Sequence, residues 1–317
     1  MPPQSALPDG LPAPARSRAM LVIILGLTVA VLDGSVVNLA LPGIAREMNA
    51  SAAHAIWVVN AYQMATLIML LPLASLGERL GYRRVYLLGL GLFALASVGA
   101  MLANSLGTLI AARAVQGLGA AGIMSVNAAL VRLIYPRAQL GRGMAINSMV
   151  VAISSVAGPT VAAMVLSVAS WPWLFALNLP LGAFTVWLGR RALPHNPVAA
   201  PGGRHSWLDV VLNGLMFALI FVGAERLSVR GGVASGTASP LAWGLLAAGV
   251  LVGVVYWRRQ QRLAVPLLPV DLLRIPVFAL SMGASVGRFV RRCWLTWRCR
   301  FCCWRVLAAP RCRRACC

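Results

Sequence analysis

The chain has 317 residues, 60% hydrophobic and only 11% charged, with a formal net charge of +21. A soluble domain carries about 25% charged residues, so this composition excludes a soluble domain and marks an integral membrane protein. Its apolar runs are about twenty residues long, which means helices and not barrel strands. All 28 basic residues are Arg. Without Lys there is no Walker A lysine, no Schiff base and no pyridoxal chemistry, and seven acids with three His leave little for a metal site. No cofactor, no metal and no enzymatic activity are expected. Nine Arg lie in residues 288–317, which contain no acid, and the rest are spread over loops. That distribution argues against nucleic acid as a partner.

Residues 1–18 are polar and Pro-rich, with Arg16 and Arg18 just before the first apolar run. The run is too long for a signal peptide and lacks a convincing cleavage site, so it reads as an uncleaved first helix. Apolar helices are predicted at 19–41, 56–76, 84–103, 107–131, 143–167, 172–190, 208–227 and 239–257, with a ninth starting near 275. With a cytoplasmic N-terminus, fifteen Arg fall in inside segments and three (Arg46, Arg226 and Arg230) outside. That asymmetry fixes the orientation. Trp57, Trp171, Trp173, Trp207 and Trp257 fall near helix ends and read as interfacial anchors.

Asp33 sits inside the first apolar run. A carboxylate there costs several kcal/mol unless protonated, paired or hydrated, so it marks a transport or proton site; the alternative is local bonding to backbone near a helix end. Counting about 1.5 Å per residue places Asp33 roughly 21 Å from the inner surface and Arg113 roughly 9 Å from the outer one. In a core about 30 Å thick these depths nearly coincide. A guanidinium favours the charged carboxylate and burial the neutral one, so a site between these influences can load and release a proton. The alternative for Arg113 is a clamp on backbone carbonyls. Gln116 follows Arg113 at a spacing that shares its face.

Gly117, Gly119 and Gly122 match G-x-G-x-x-G, but no strand precedes them, so a dinucleotide loop is rejected. Small residues in a membrane helix permit close helix contact instead. In the short inner loop at 76–84, Gly81 permits a tight turn. There Glu78 with Arg79, Arg83 and Arg84 forms either an ion-pair latch or ordinary positive-inside charge. Gly158-Pro159 lies late in the fifth helix. A proline there frees a carbonyl and bends the helix, either facing a transport path or simply packing. Residues 192–206 are a Pro- and Gly-rich cytoplasmic linker, and Ser206 with Asp209 fits a capping box opening the seventh helix.

These segments, in this order, resemble the major facilitator superfamily, and most of all its fourteen-helix drug:proton antiporter branch. Leu32 to Pro42 is similar to that branch's helix 1 signature, with Ser35 where Thr is usual. Ala74 to Arg84 resembles the superfamily's loop 2–3 signature, departing at Ala74 and Glu78. Leu109 to Ala121 matches the helix 4 signature at Arg113, Gln116, Gly117, Gly119, Ala120 and Ala121. Ser154, Gly158, Pro159, Ala162 and Ala163 resemble the antiporter signature of helix 5, and Trp171 to Pro180 the segment opening helix 6.

The resemblance implies an all-α membrane protein with a six-helix N-terminal half at 19–191, two extra helices within 207–262, and a loop with the start of a ninth helix at 263–287. It implies alternating access, with proton entry driving export of lipophilic or cationic small molecules across a bacterial inner membrane. Carried over, Asp33, Asn38, Arg113 and Gln116 are proton-coupling and substrate candidates. Glu78, Arg79, Gly81, Arg83 and Arg84 control the conformational switch, and Gly158 and Pro159 form the antiporter motif. A periplasmic adaptor partner is left open.

All seven Cys lie in residues 293–317, beside Arg and Trp. Their irregular spacing without His argues against zinc, and a cytoplasmic tail argues against a disulfide framework. A frameshift after Gly287 accounts best for this stretch: Leu codons of the CTG type, read one base late, give Cys and Trp. The chain then carries the first eight to nine helices of a longer transporter. A truncated membrane protein that does not transport, and an uptake permease for sugars or organic acids, are the competing readings; the Gly158-Pro159 signature argues against the permease.

Overall fold

A computed structural model describes residues 10–194, 207–229, 240–261, 280, 281, 283, 284 and 287. Among these residues, eight helices are long and apolar enough to cross a membrane. They run as α1 (Ala13–Glu47), the short α2 (Ala52–Ala55), α3 (Trp57–Leu80), α4 (Tyr82–Met101), α5 (Leu106–Ile134), α6 (Leu140–Val168), α7 (Pro172–Ala176) with α8 (Asn178–Ala192), α9 (Trp207–Val229) and α10 (Pro240–Gln260). The protein is an all-α membrane protein.

Most of the helices run past their apolar run at one end or both, whereas α4 is shifted two residues toward the N-terminus at the same length. The α1 helix begins at Ala13, within the stretch read as a polar tail, and α3 reaches Leu80 rather than 76. Apolar periodicity reports only the part of a helix inside the hydrocarbon, whereas backbone hydrogen bonding continues into the interface, where polar side chains such as Arg16 reach water. Arg16 Nη1 donates to Gln139 Oε1 at 2.8 Å. The predicted Ser206 cap, the linker, the opening of the ninth helix and the Cys-rich tail lie almost wholly outside the described residues.

The chain divides into two units, residues 1–259 and 260–317. In the second, Leu280, Ser281, Gly283, Ala284 and Gly287 are helical. In the first, α5 is the most buried span, with 61% of its apolar window enclosed, and α3, α4 and α1 pack around it. Large apolar side chains point outward elsewhere: Leu88, Leu95, Val156 and Val168 are well exposed. In a bilayer such faces meet lipid at no cost, so burial here is decided by van der Waals fit and polar groups, not by hydrophobicity.

Glycines create that fit. A Cβ on Gly89 would lie 2.9 Å from the Gly119 carbonyl oxygen and from Gly122 Cα, and one on Gly119 would lie 2.6 Å from Phe93 N. Helices α4 and α5 therefore touch backbone to backbone. Gly158 of α6 instead makes room for the Ser35 side chain of α1. Helix α6 passes through Pro159 without interruption.

At the α3–α4 turn, Gly81 has φ 96° and ψ 132°, a region open essentially to glycine alone. Gly81→Ala is expected to cost about 1–3 kcal/mol, read as a lowered thermal midpoint of the purified protein. Beside it, Arg83 Nη2 donates to the Arg190 carbonyl at the end of α8, tying this turn to the last turn of α8. Helix α9 is held to α3 by polar contacts: Asn213 Nδ2 donates to Ile68 O at 3.0 Å, and Asn60 Nδ2 to Glu225 Oε1 at 3.3 Å. Asp209 pairs with Arg259 Nε of α10 at 2.6 Å, so its carboxylate joins two helices.

Candidate functional site

The core of the first unit falls into two apolar clusters. One includes Ile23, Tyr86, Phe93, Ile123 and Leu130; the other includes Val36, Ile44, Val58, Leu109 and Phe175. Along α1 the first cluster ends at Ala30 and the second begins at Val36; along α5 the boundary falls between Leu109 and Ala120. Asp33, Arg113 and Gln116 occupy that gap. They form a polar layer across the middle of the bundle, and all three are buried.

Within this layer Arg113 Nη1 pairs with Asp33 Oδ2. The same nitrogen donates to Gln116 Oε1 at 2.6 Å, and Arg113 Nε donates to the Val58 carbonyl of α3 at 3.2 Å. Both sequence readings of Arg113, charge partner and backbone clamp, are therefore realised at once by different nitrogens of one guanidinium. Its plane lies over the Tyr62 ring at 4.2 Å and near Phe175 at 5.7 Å, which stabilises a cation shielded from water. Arg113 Nη2 is buried without a hydrogen-bond partner.

The other carboxylate oxygen is held twice. Asp33 Oδ1 accepts from Gln116 Nε2 at 2.9 Å and from Asn178 Nδ2 at 2.7 Å. Ser97 of α4 orients the glutamine: its hydroxyl donates to the Phe93 carbonyl and accepts from Gln116 Nε2, each at 2.9 Å. That fixes Gln116 with its carbonyl toward Arg113 and its amide N–H groups toward Asp33 and Ser97, the only assignment that pairs every contact. Tyr62 closes the layer by donating to Ala30 O at 3.1 Å. A buried ion pair is tolerated when further hydrogen bonds satisfy its remaining groups, and here every polar group of the pair except Arg113 Nη2 has one.

Asn38 is not brought to the cluster. It is exposed and donates to the carbonyl of Gly34 in its own helix at 3.2 Å. Glu78, Arg79, Arg83 and Arg84 stay with Gly81 at the α3–α4 turn, at the end of the bundle away from the ion pair. Trp171, read as an interfacial anchor, is buried, and its indole N–H donates to Glu47 Oε2 at 2.8 Å. Ser97, Tyr62 and Asn178 join the site without having been singled out for it. The available signal was chemical: each is a polar group inside an otherwise apolar membrane span.

Membrane-length helices packed around a buried ion pair define a polytopic membrane protein with a charged core. The family model for the Major Facilitator Superfamily matches residues 23–298, and the chain belongs to that superfamily. It is 50% identical over 281 residues to the uncharacterized transporter YebQ of Escherichia coli, covering 89% of this chain and 60% of that protein. It is 30% identical over 285 residues to the multidrug efflux pump LfrA of Mycolicibacterium smegmatis, covering 87% of this chain and 55% of that protein. The chain thus spans little more than half the length of these relatives. Among solved structures, the human organic anion transporter MFSD10 aligns with a TM-score of 0.54 at 17% identity, over 68% of this chain and 61% of that one, a likeness of fold.

Proposed function

We propose that the protein belongs to the drug:proton antiporter branch of its superfamily and takes part in proton-driven export of lipophilic or cationic small molecules across a bacterial inner membrane, with its N-terminus cytoplasmic. The observation that carries this reading is the buried Asp33–Arg113 pair in the middle of a membrane bundle. A proton delivered to Asp33 neutralises the carboxylate and releases Arg113 from its counter-ion. The cost of an unpaired buried cation then favours a rearranged bundle. Return of the proton to the other side restores the pair. The relationship to a multidrug efflux pump supports the substrate class, and the Arg asymmetry supports the orientation. In this reading Glu78, Arg79, Gly81, Arg83 and Arg84 form the switch at the α3–α4 turn, and Gly158 and Pro159 carry the antiporter motif.

A second reading is a membrane protein that inserts without transporting. Ethidium efflux from cells lacking their own pumps separates the two. Transport predicts faster efflux in cells carrying the full chain, falling to the level of empty cells in Asp33→Asn. Efflux at full rate in that variant removes Asp33 from the mechanism, and efflux equal to empty cells in the parent supports the second reading.

A further inference from the structure

We propose that Asn178 is a positioning residue that holds ionised Asp33 and links the charge state of that carboxylate to the break between α7 and α8. The inference rests on the reading of Asp33 as the proton-binding group and extends it to a part of the chain outside that pair.

Three side chains donate to Asp33. Arg113 and Gln116 lie within one turn of each other on α5. Asn178 is the third and comes from elsewhere: it is the first residue of α8, its side chain is buried, and its amide meets Asp33 Oδ1 at 2.7 Å. It is thus the hydrogen bond from the sixth membrane span to the carboxylate. Regular helical hydrogen bonding is interrupted there at one residue, Leu177, whose dihedrals (φ −59°, ψ −30°) stay helical. Helix α7 ends at Ala176 and α8 begins at Asn178. Pro180 supplies the reason, because it has no N–H to offer the carbonyl of Ala176 one turn earlier. A helix with a missing rung bends there at small cost, and the side chain beside the missing rung is the one bonded to Asp33.

An ionised carboxylate only accepts hydrogen bonds, whereas a protonated one also donates. The Asn178 N–H therefore suits the charged form. Protonation weakens that bond, or turns the amide so that its carbonyl accepts the new O–H. Either way the tie on the α7–α8 break changes with the proton. The charged and titratable groups facing Asp33 are Arg113 from α5 and Tyr62 from α3. The charged residues of α6 and α8, Arg142, Arg190 and Arg191, lie in terminal turns, His54 lies in the short α2 between α1 and α3, and α7 has none.

The test is the protonated-carboxyl stretch in the infrared spectrum of the purified full chain, titrated with pH, together with amide exchange over residues 174–182. The Asp33 band is identified by its loss in Asp33→Asn. Removing one charge-assisted hydrogen bond from the anion moves its titration midpoint up by about one pH unit in Asn178→Leu, with a smaller shift in Asn178→Ser, which keeps a donor. Exchange over 174–182 rises on acidification in the parent and loses that pH dependence in Asn178→Leu. An unmoved midpoint in both folded variants, or exchange that still follows pH in Asn178→Leu, overturns the role of Asn178. A spectrum with no band lost in Asp33→Asn at any pH overturns instead the assignment of Asp33 as the proton site.

Discussion

Arg113→Met is expected to destabilise the purified protein by about 3–5 kcal/mol, because it leaves Asp33 buried without its cation. Asp33→Leu has the mirror effect on Arg113, which retains only Val58 O, Gln116 and the aromatic faces. The double variant Asp33→Leu with Arg113→Met removes both charges and recovers much of the loss, since a buried pair replaced by apolar groups is often close to neutral. Thermal unfolding in detergent across the cycle measures the coupling. Additive losses would mean that the pair is not a unit. The recovery is specific to stability. Under the antiport proposed above, the double variant stays unable to move a dye in cells, so fold and export separate in one experiment.

The second large effect is expected at the α4–α5 crossing. Gly119→Val places side-chain atoms where a single Cβ would already lie 2.6 Å from Phe93 N and 2.7 Å from Gly89 O. The obstacle is backbone, so no rotamer change relieves it, and the two helices must separate. Overpacking of this kind costs about 3 kcal/mol, and here it also pulls α5 away from the layer that holds Arg113 and Gln116. The expected outcome is a marked drop in folded yield after detergent extraction. Gly107→Val serves as the control: a Cβ at Gly107 meets nothing within 4 Å, so it carries no comparable steric cost. Equal yields for the two variants would contradict the close crossing.

Much of the architecture is legible in the residues. Long apolar runs separated by Arg-bearing loops announce helices in a membrane, because backbone groups in hydrocarbon must bond within their own segment. Asp33 and Arg113 stand out for the same reason: a charge in such a run is costly and needs a partner. Their matching depths made each the other's natural counterpart, and the ion pair is there. The glycines of α5 are legible as contact surface, although not which helix they meet; Gly117 faces α3 while Gly119 and Gly122 face α4.

Other features have no local signature. Asn38 lies near Asp33 in sequence and shares its signature segment, yet it bonds within its own helix, because helix rotation turned it to the outside. Ser97, Tyr62 and Asn178 come from three different helices, and nothing in their neighbours tells that they converge on one carboxylate. Trp171 sits near a helix end in the sequence, as an anchor does, but α7 packs against α1 and buries it.

By itself, then, the sequence determined the class of protein, the number and order of the described spans, and the two charges that need each other, since hydrophobicity and the cost of a buried charge act on each residue where it stands. Only the tertiary structure decided which amides complete the Asp33 site and which glycine meets which helix. Those depend on the rotation and approach of whole helices, which in lipid are set by the fit of many small contacts and by no single residue.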